Sequence, residues 1–209
     1  LLSQLTVMSL AGYVYPNVYG SAAAQSTASL LGTVVMLIVC APFASKLAAK
    51  FGKKELAVAS SICSALVWLV CLIWRPASVW GFVACYILAN IGMGFFNTII
   101  WAMITDVIDD AEVRSGIRED GTIYSVYSFA RKLGQAFSSG LVGALLGIIG
   151  YTEATAFDPA VTRDIFNMAC IAPIIGFVCI VLALVFLYPL NKKKVEENVA
   201  ALAARRNSK

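Results

Sequence analysis

Histidine is absent from all 209 residues, which removes the commonest proton shuttle and metal ligand at neutral pH. Charge is scarce as well: Asp, Glu, Lys and Arg together make up 13% of the chain, against roughly a quarter in ordinary soluble domains. Hydrophobic residues make up 60%. A water-soluble domain of this size has no interior large enough to hide so much apolar surface. The composition therefore points to an all-α polytopic membrane protein with the lipid bilayer as its solvent. The six cysteines (Cys40, Cys63, Cys71, Cys85, Cys170, Cys179) lie inside apolar runs without metal-ligand spacing. They read as small buried hydrophobes, so neither a metal site nor a cofactor is expected. An intramembrane hydrolase would need a zinc motif, a Ser–His pair or two facing mid-membrane aspartates. With no His, and with Asp106 and Asp109 on one helix end, no catalytic residue is assigned. The net charge of +4 is no nucleic-acid signature, because the positive residues sit in loops that end apolar segments.

What is present is a series of six apolar pieces, residues 1–13, 25–47, 55–74, 78–107, 121–150 and 164–190. They form a bundle over residues 1–190, followed by a polar tail over 191–209. Each piece after the first meets the requirement of about 20 residues for a membrane helix. The first is too short to cross at about 1.5 Å per residue. The chain also opens without Met and without a signal peptide's charged flank, so residue 1 is expected to lie within a helix whose start is missing. With the tail cytoplasmic, that side holds Lys46, Lys50, Lys53, Lys54, Arg114, Arg118, Lys192, Lys193, Lys194, Arg205, Arg206 and Lys209, against Arg75 and Arg163 outside. Such asymmetry sets orientation, because Lys and Arg resist translocation. Gly143 with Gly147, the row Ala136, Gly140, Ala144, and Gly92 with Gly94 predict close helix–helix faces. Pro42 and Pro173 predict kinks.

The stretch 101–135, WAMITDVIDDAEVRSGIREDGTIYSVYSFARKLGQ, concentrates the charge. Asp106, Asp109, Asp110 and Glu112 close the fourth segment, where carboxylates oppose the helix macrodipole. Their spacing gives Asp106, Asp109 and Asp110 one face, so something cationic must meet them: Arg114, Arg118, the 46–54 loop or a part of the protein beyond this chain. Two readings stand, a solvated loop end and a cytoplasmic ion-pair latch that closes a transport path. Lys132 carries a similar choice. It lies roughly 17 Å into its helix counted from Gly121 and about 28 Å counted back from Tyr151, so it either lines a pathway or snorkels to the surface. Tyr124, Ser128, Lys132 and Gln135 fall on one stripe at helical spacing, a set suited to a polyhydroxylated solute. Arg131 points about 100° elsewhere around the helix and is expected to matter less. A channel, a non-transporting membrane partner and a carrier of a non-sugar amphiphile are the competing functions.

The run D-x-x-D-x-x-E (Asp106, Asp109, Glu112), then G-x-R-x-x-G (Gly116, Arg118, Gly121), then YSxxSFxRKxGQA from Tyr124 to Ala136 resembles the glycoside–pentoside–hexuronide:cation symporters, nearest the glucuronide and melibiose carriers. The loop with Phe51-Gly52-Lys53-Lys54 is similar to the family's basic loop between the second and third helices of its second half. The resemblance implies the C-terminal six-helix half of a twelve-helix major facilitator transporter in the cell membrane, with an N-terminal half as partner. It implies sugar or glycoside as substrate and Na+ or H+ as coupling cation, with the principal cation ligands in the other half. On the same resemblance, Lys132, Ser128 and Tyr127 line the cation and sugar cavity. Asn97 stands where a melibiose carrier has a sugar-cavity tryptophan, and whether Trp101, one turn later, takes that role stays open. Asp106, Asp109 and Arg118 match the cytoplasmic charged network, and Glu112 is grouped with them as the expected cytoplasmic gate.

Overall fold

The computed structural model describes residues 2–207; Leu1 of the first segment, and Lys209 of the cation count and the tail, lie outside the described residues. The described residues form eight α-helices joined by short turns. Helix α1 (Leu2–Tyr13) runs into a π-helical turn, Val14–Val18, around Pro16. Helix α2 (Ala22–Val35), a second π-helical turn (Met36–Cys40) and α3 (Ala41–Phe51) form one rod of 30 residues. Then follow α4 (Lys53–Trp74), α5 (Val79–Ser115), α6 (Asp120–Ile148), α7 (Pro159–Phe186) and α8 (Lys192–Asn207).

At Pro42 the expected disturbance takes the form of a wider turn. Proline has no N–H, and its ring crowds the carbonyl four residues back. The Ala41 N–H bonds to the Met36 carbonyl instead, an i→i−5 pattern that absorbs the misfit. Helix α7 runs through Pro173 without interruption.

Four of these elements among the described residues are long and apolar enough to cross a membrane: the rod Ala22–Phe51, α4, α5 and α7. The apolar piece 121–150, expected by length to cross as well, is not among them. Helix α6 has the length, 29 residues, but Arg131, Lys132, Gln135 and its serines dilute its hydropathy. A helix of that composition suits a protein or solute face better than a lipid face.

Helix α4 packs along both α5 and α7, α1 lies against α6 and α7, and α2 lies against α5. The apolar core sits toward the end remote from the acids. There Phe82 is fully buried among Tyr15, Trp68 and Phe166, with ring centroids at 5.4, 6.0 and 5.8 Å. Gly92 lets α5 reach α4: a Cβ there would collide with the Ser64 hydroxyl and lie 2.5 Å from the Ser60 carbonyl. The same Ser64 hydroxyl donates to the Ala89 carbonyl at 2.8 Å. Gly94 meets Cys40 of the rod. Both therefore serve the close packing read from the sequence. The α6 rows differ, for Gly140, Gly143 and Gly147 have no atom within 4 Å of a built Cβ. That small-residue face meets no other helix among the described residues.

Candidate functional site

The acids do not end their helix. Helix α5 continues through Ser115 and stops at Gly116, whose φ of +77° is a left-handed cap that glycine adopts without steric cost. Asp106 thus stands more than two turns inside the helix, and the macrodipole argument applies to Glu112 alone. Hydropathy falls at 107, where the apolar segment ends, yet Ala111, Glu112, Val113 and Arg114 sustain a helix in water as well as in lipid.

Each acid has a cation. The Lys53 ammonium, at the start of α4, donates to Asp106 Oδ1 at 2.6 Å and to the Ala102 carbonyl at 3.4 Å. Asp106 is buried, and its Oδ2 has no partner among the described residues. Asp110 is paired with Arg114 at 2.7 Å and accepts from the Asn198 amide at 2.9 Å. Arg118 joins three carboxylates, Glu112 at 2.9 Å, Asp109 at 3.0 Å and Asp120 at 2.8 Å. Glu112, Asp109 and Asp120, in that order, raise the Arg118 guanidinium further above its ordinary range, so this exposed hub keeps its charge.

The tail closes the same end. Asn191 caps α8 by accepting from the Lys194 N–H at 2.9 Å. Asn198 and Leu202 are buried against the bundle, and Arg205 donates to the carbonyls of Glu112 and Val113 at 3.2 and 3.0 Å. Lys192 bonds to the Lys50 carbonyl at 3.2 Å, and Lys54 to the Tyr188 carbonyl at 2.6 Å. The tail is therefore a packed helix that ties the α3–α4 turn to the end of α5. The segregation of cations to one end of the bundle appears here as contacts. Arg75 lies at the opposite end, donating to Asn167 at 2.9 Å.

The pathway candidates divide into two groups. Tyr124, Ser128, Lys132 and Gln135 lie on an exposed face of α6, and Lys132 makes no hydrogen bond or ion pair among the described residues. Tyr127 and Trp101 instead meet across the α5–α6 contact, edge to face at 5.3 Å. Between them sits Arg131. Its Nη1 donates to the Tyr127 hydroxyl at 3.0 Å, and its guanidinium carbon lies 5.3 Å from the Trp101 ring centre and 5.5 Å from that of Tyr127. By sequence the weight falls on Lys132, with Arg131 expected to matter less; among the described residues it is Arg131 that makes these contacts. The Tyr127–Arg131 spacing of one helical turn was the available signal. Asn97 is not brought to this cluster; its amide donates to Gln4 of α1 at 3.4 Å. A cavity of about 720 Å³ between α1, α6 and α7 contains none of these residues and is walled by Thr6, Leu145, Met168 and Ile175 among others.

Membrane-length helices, ion pairs gathered at one end and a polar flank on a single helix define a helical membrane protein. Residues 1–192 match the family described as MFS/sugar transport protein, and the chain belongs to that family. It is 29% identical over 180 residues to a glucuronide carrier protein homolog of Escherichia coli (strain K12), covering 85% of this chain and 38% of that protein. An uncharacterized symporter of Bacillus subtilis (strain 168) is 34% identical over 152 residues, 73% of this chain and 33% of its own length. A second uncharacterized symporter of that organism is 29% identical over 176 residues, 84% and 38% respectively. The chain thus spans between about a third and two fifths of the length of these three relatives.

Proposed function

We propose that the protein to which this chain belongs moves a sugar or glycoside across the cell membrane together with a coupling cation, Na+ or H+. In this reading the chain is one of two bundles that rock about a site near the midplane, opening it to each side in turn. The other bundle, beyond this chain, supplies the principal cation ligands. The charged end of the bundle, and α8 with it, faces the cytoplasm. The lattice of Lys53, Asp106, Asp109, Glu112 and Arg118 then acts as a gate on that side, and Lys132, Ser128, Tyr124, Tyr127, Gln135 and Trp101 border the solute path. Asn97 stands farther back, toward α1.

The observation that carries the reading is helix α6. It is as long as a membrane helix but too polar for lipid, and its exposed stripe bears hydroxyls, an amide and an ammonium. Such groups can replace water around a polyhydroxylated solute, and an exposed polar face in a membrane protein has to meet solute, water or other protein. The test is counterflow in proteoliposomes. Preloaded unlabelled glycoside should drive transient accumulation of labelled glycoside, and an imposed Na+ or proton gradient should drive net uptake. Flux that never saturates and shows no counterflow would make the protein a channel instead.

A further inference from the structure

We infer that the corner where α3, α4 and α8 meet holds the phosphate of an anionic phospholipid, with Lys46, Lys50 and Lys192 as its receptors. Such a site needs the bilayer, whatever solute the carrier moves. Three elements bring the lysines together. Lys46 and Lys50 are one turn apart on α3, and Phe43 lies on the same exposed stripe. Gly52, at φ +105°, turns the chain into α4. A Cβ built on Gly52 would lie 3.2 Å from the Lys192 Cβ, and the Lys192 ammonium donates to the Lys50 carbonyl at 3.2 Å. The start of α8 is thereby set against the end of α3.

This corner carries more positive charge than its own carboxylates balance. Lys46 and Lys193 make no hydrogen bond or ion pair among the described residues, and the Lys50 ammonium meets only the Phe51 ring, 5.1 Å from its centre. Lys54 donates to the Tyr188 carbonyl, which leaves its charge uncompensated. Two carboxylates stand nearby: Glu55 folds over Gly52, and Glu196 lies 3.9 Å from the Lys192 ammonium. Lys46, Lys50, Lys54, Lys192 and Lys193 are thus five cations against two acids. The acids of α5 give no relief, because Lys53, Arg114 and Arg118 already hold them.

The neighbours favour a lipid over a soluble anion. Helix α3 is the end of a rod long and apolar enough to cross a membrane, and Phe43 and Phe51 are exposed beside the lysines. Lys46 lies about 7.5 Å before the end of α3. From that depth a lysine reaches the headgroup layer while its methylene stem stays on apolar surface. A phosphodiester held there lays its acyl chains along Phe43. Headgroup charge sets the class, since phosphatidylglycerol brings a negative charge to a positive surface. In phosphatidylcholine an ammonium cancels that charge and is repelled by the surplus lysines.

The full-length carrier in neutral detergent is titrated with phosphatidylglycerol or with phosphatidylcholine of the same acyl chains, and bound lipid is counted by native mass spectrometry. Wild type should take up phosphatidylglycerol at the lower concentration. The double variant Lys46→Gln, Lys50→Gln and the single variant Lys192→Gln should weaken its binding by about fivefold per lysine and leave phosphatidylcholine unchanged. The charge-keeping double variant Lys46→Arg, Lys50→Arg should bind as wild type does, and it carries the comparison if a glutamine variant melts early. Arg163→Gln, which removes one charge at the opposite end, should change nothing. Equal binding of the two lipids by wild type, or a loss in Arg163→Gln as large as that in Lys192→Gln, overturns the inference. Displacement of phosphatidylglycerol by inorganic phosphate at equal concentration would make the corner a soluble-anion site and overturns the lipid assignment.

Discussion

At Gly92 a single hydrogen atom decides whether two membrane helices can touch. The α4 backbone and the Ser64 hydroxyl occupy the place a Cβ would take, so Gly92→Val must push α5 away from α4 or displace Ser64 from the Ala89 carbonyl. Overpacking of this kind costs about 1–3 kcal/mol. Gly92→Val should lower the thermal melting point of the carrier in detergent, read by intrinsic fluorescence. A variant that melts with wild type would show that α5 does not approach α4 so closely. Small-residue spacing alone could not separate Gly92 from Gly143, because the signal is the same and only the neighbour differs. Lys132 and Arg131 carry the same lesson. The sequence marks both as costly charges in an apolar run, but which of them is held, and by what, depends on Trp101. That residue comes from another helix, 30 positions before Arg131 in the chain.

Helix α5 is the element whose reading changes most. Apolar periodicity identifies its membrane part from Val79 onward, but the periodicity ends with the apolar residues while the helix goes on to Ser115. Beyond 107, helix propensity and the Gly116 stop signal were the better guides. In α8 the signals were present too: an Asn cap, and the i,i+4 and i,i+3 pairs Lys192–Glu196 and Lys194–Glu197 at 3.9 and 3.8 Å. What could not be read was the docking of Asn198 on Asp110, a contact between residues 88 positions apart. The acid lattice yields a second prediction at this scale. Lys53 is the direct partner of Asp106, with side-chain exposures of 32% and 5%. Removing one member of a buried pair costs about 3–5 kcal/mol, and partial exposure of Lys53 puts this case at or below the lower end. Asp106→Lys and Lys53→Asp should each impair uptake, and the double exchange should restore part of it. Full uptake in both single variants would remove the pair from any gate.

On the scale of the whole molecule, charge sorts the bundle into two ends. Lys50, Lys53, Lys54, Lys192 and Arg205 all make their contacts at the end where Asp106, Asp110 and Glu112 lie. The opposite end is tied by neutral or singly charged contacts. There Tyr19 donates to the Pro76 carbonyl at 2.9 Å, Asn17 donates to the Tyr151 hydroxyl at 3.4 Å and Arg75 meets Asn167. This sorting was legible in the sequence because it depends on loop composition, which needs no knowledge of packing. It leads to a prediction of side. If Lys and Arg are retained where synthesis places them, the charged end is cytoplasmic, and α8, docked on α5, must lie there with it. A cysteine replacing Asn207, in a background where the six native cysteines are substituted, should react with an impermeant thiol reagent only after the cells are permeabilised. A cysteine replacing Thr152, in the turn between α6 and α7, should react in intact cells. The pair is the sharper measurement, because a leaky preparation labels both sites and an inverted protein reverses the pattern. Reversal would place the acid lattice outside and refute the cytoplasmic gate, while the family assignment, which does not depend on orientation, would stand.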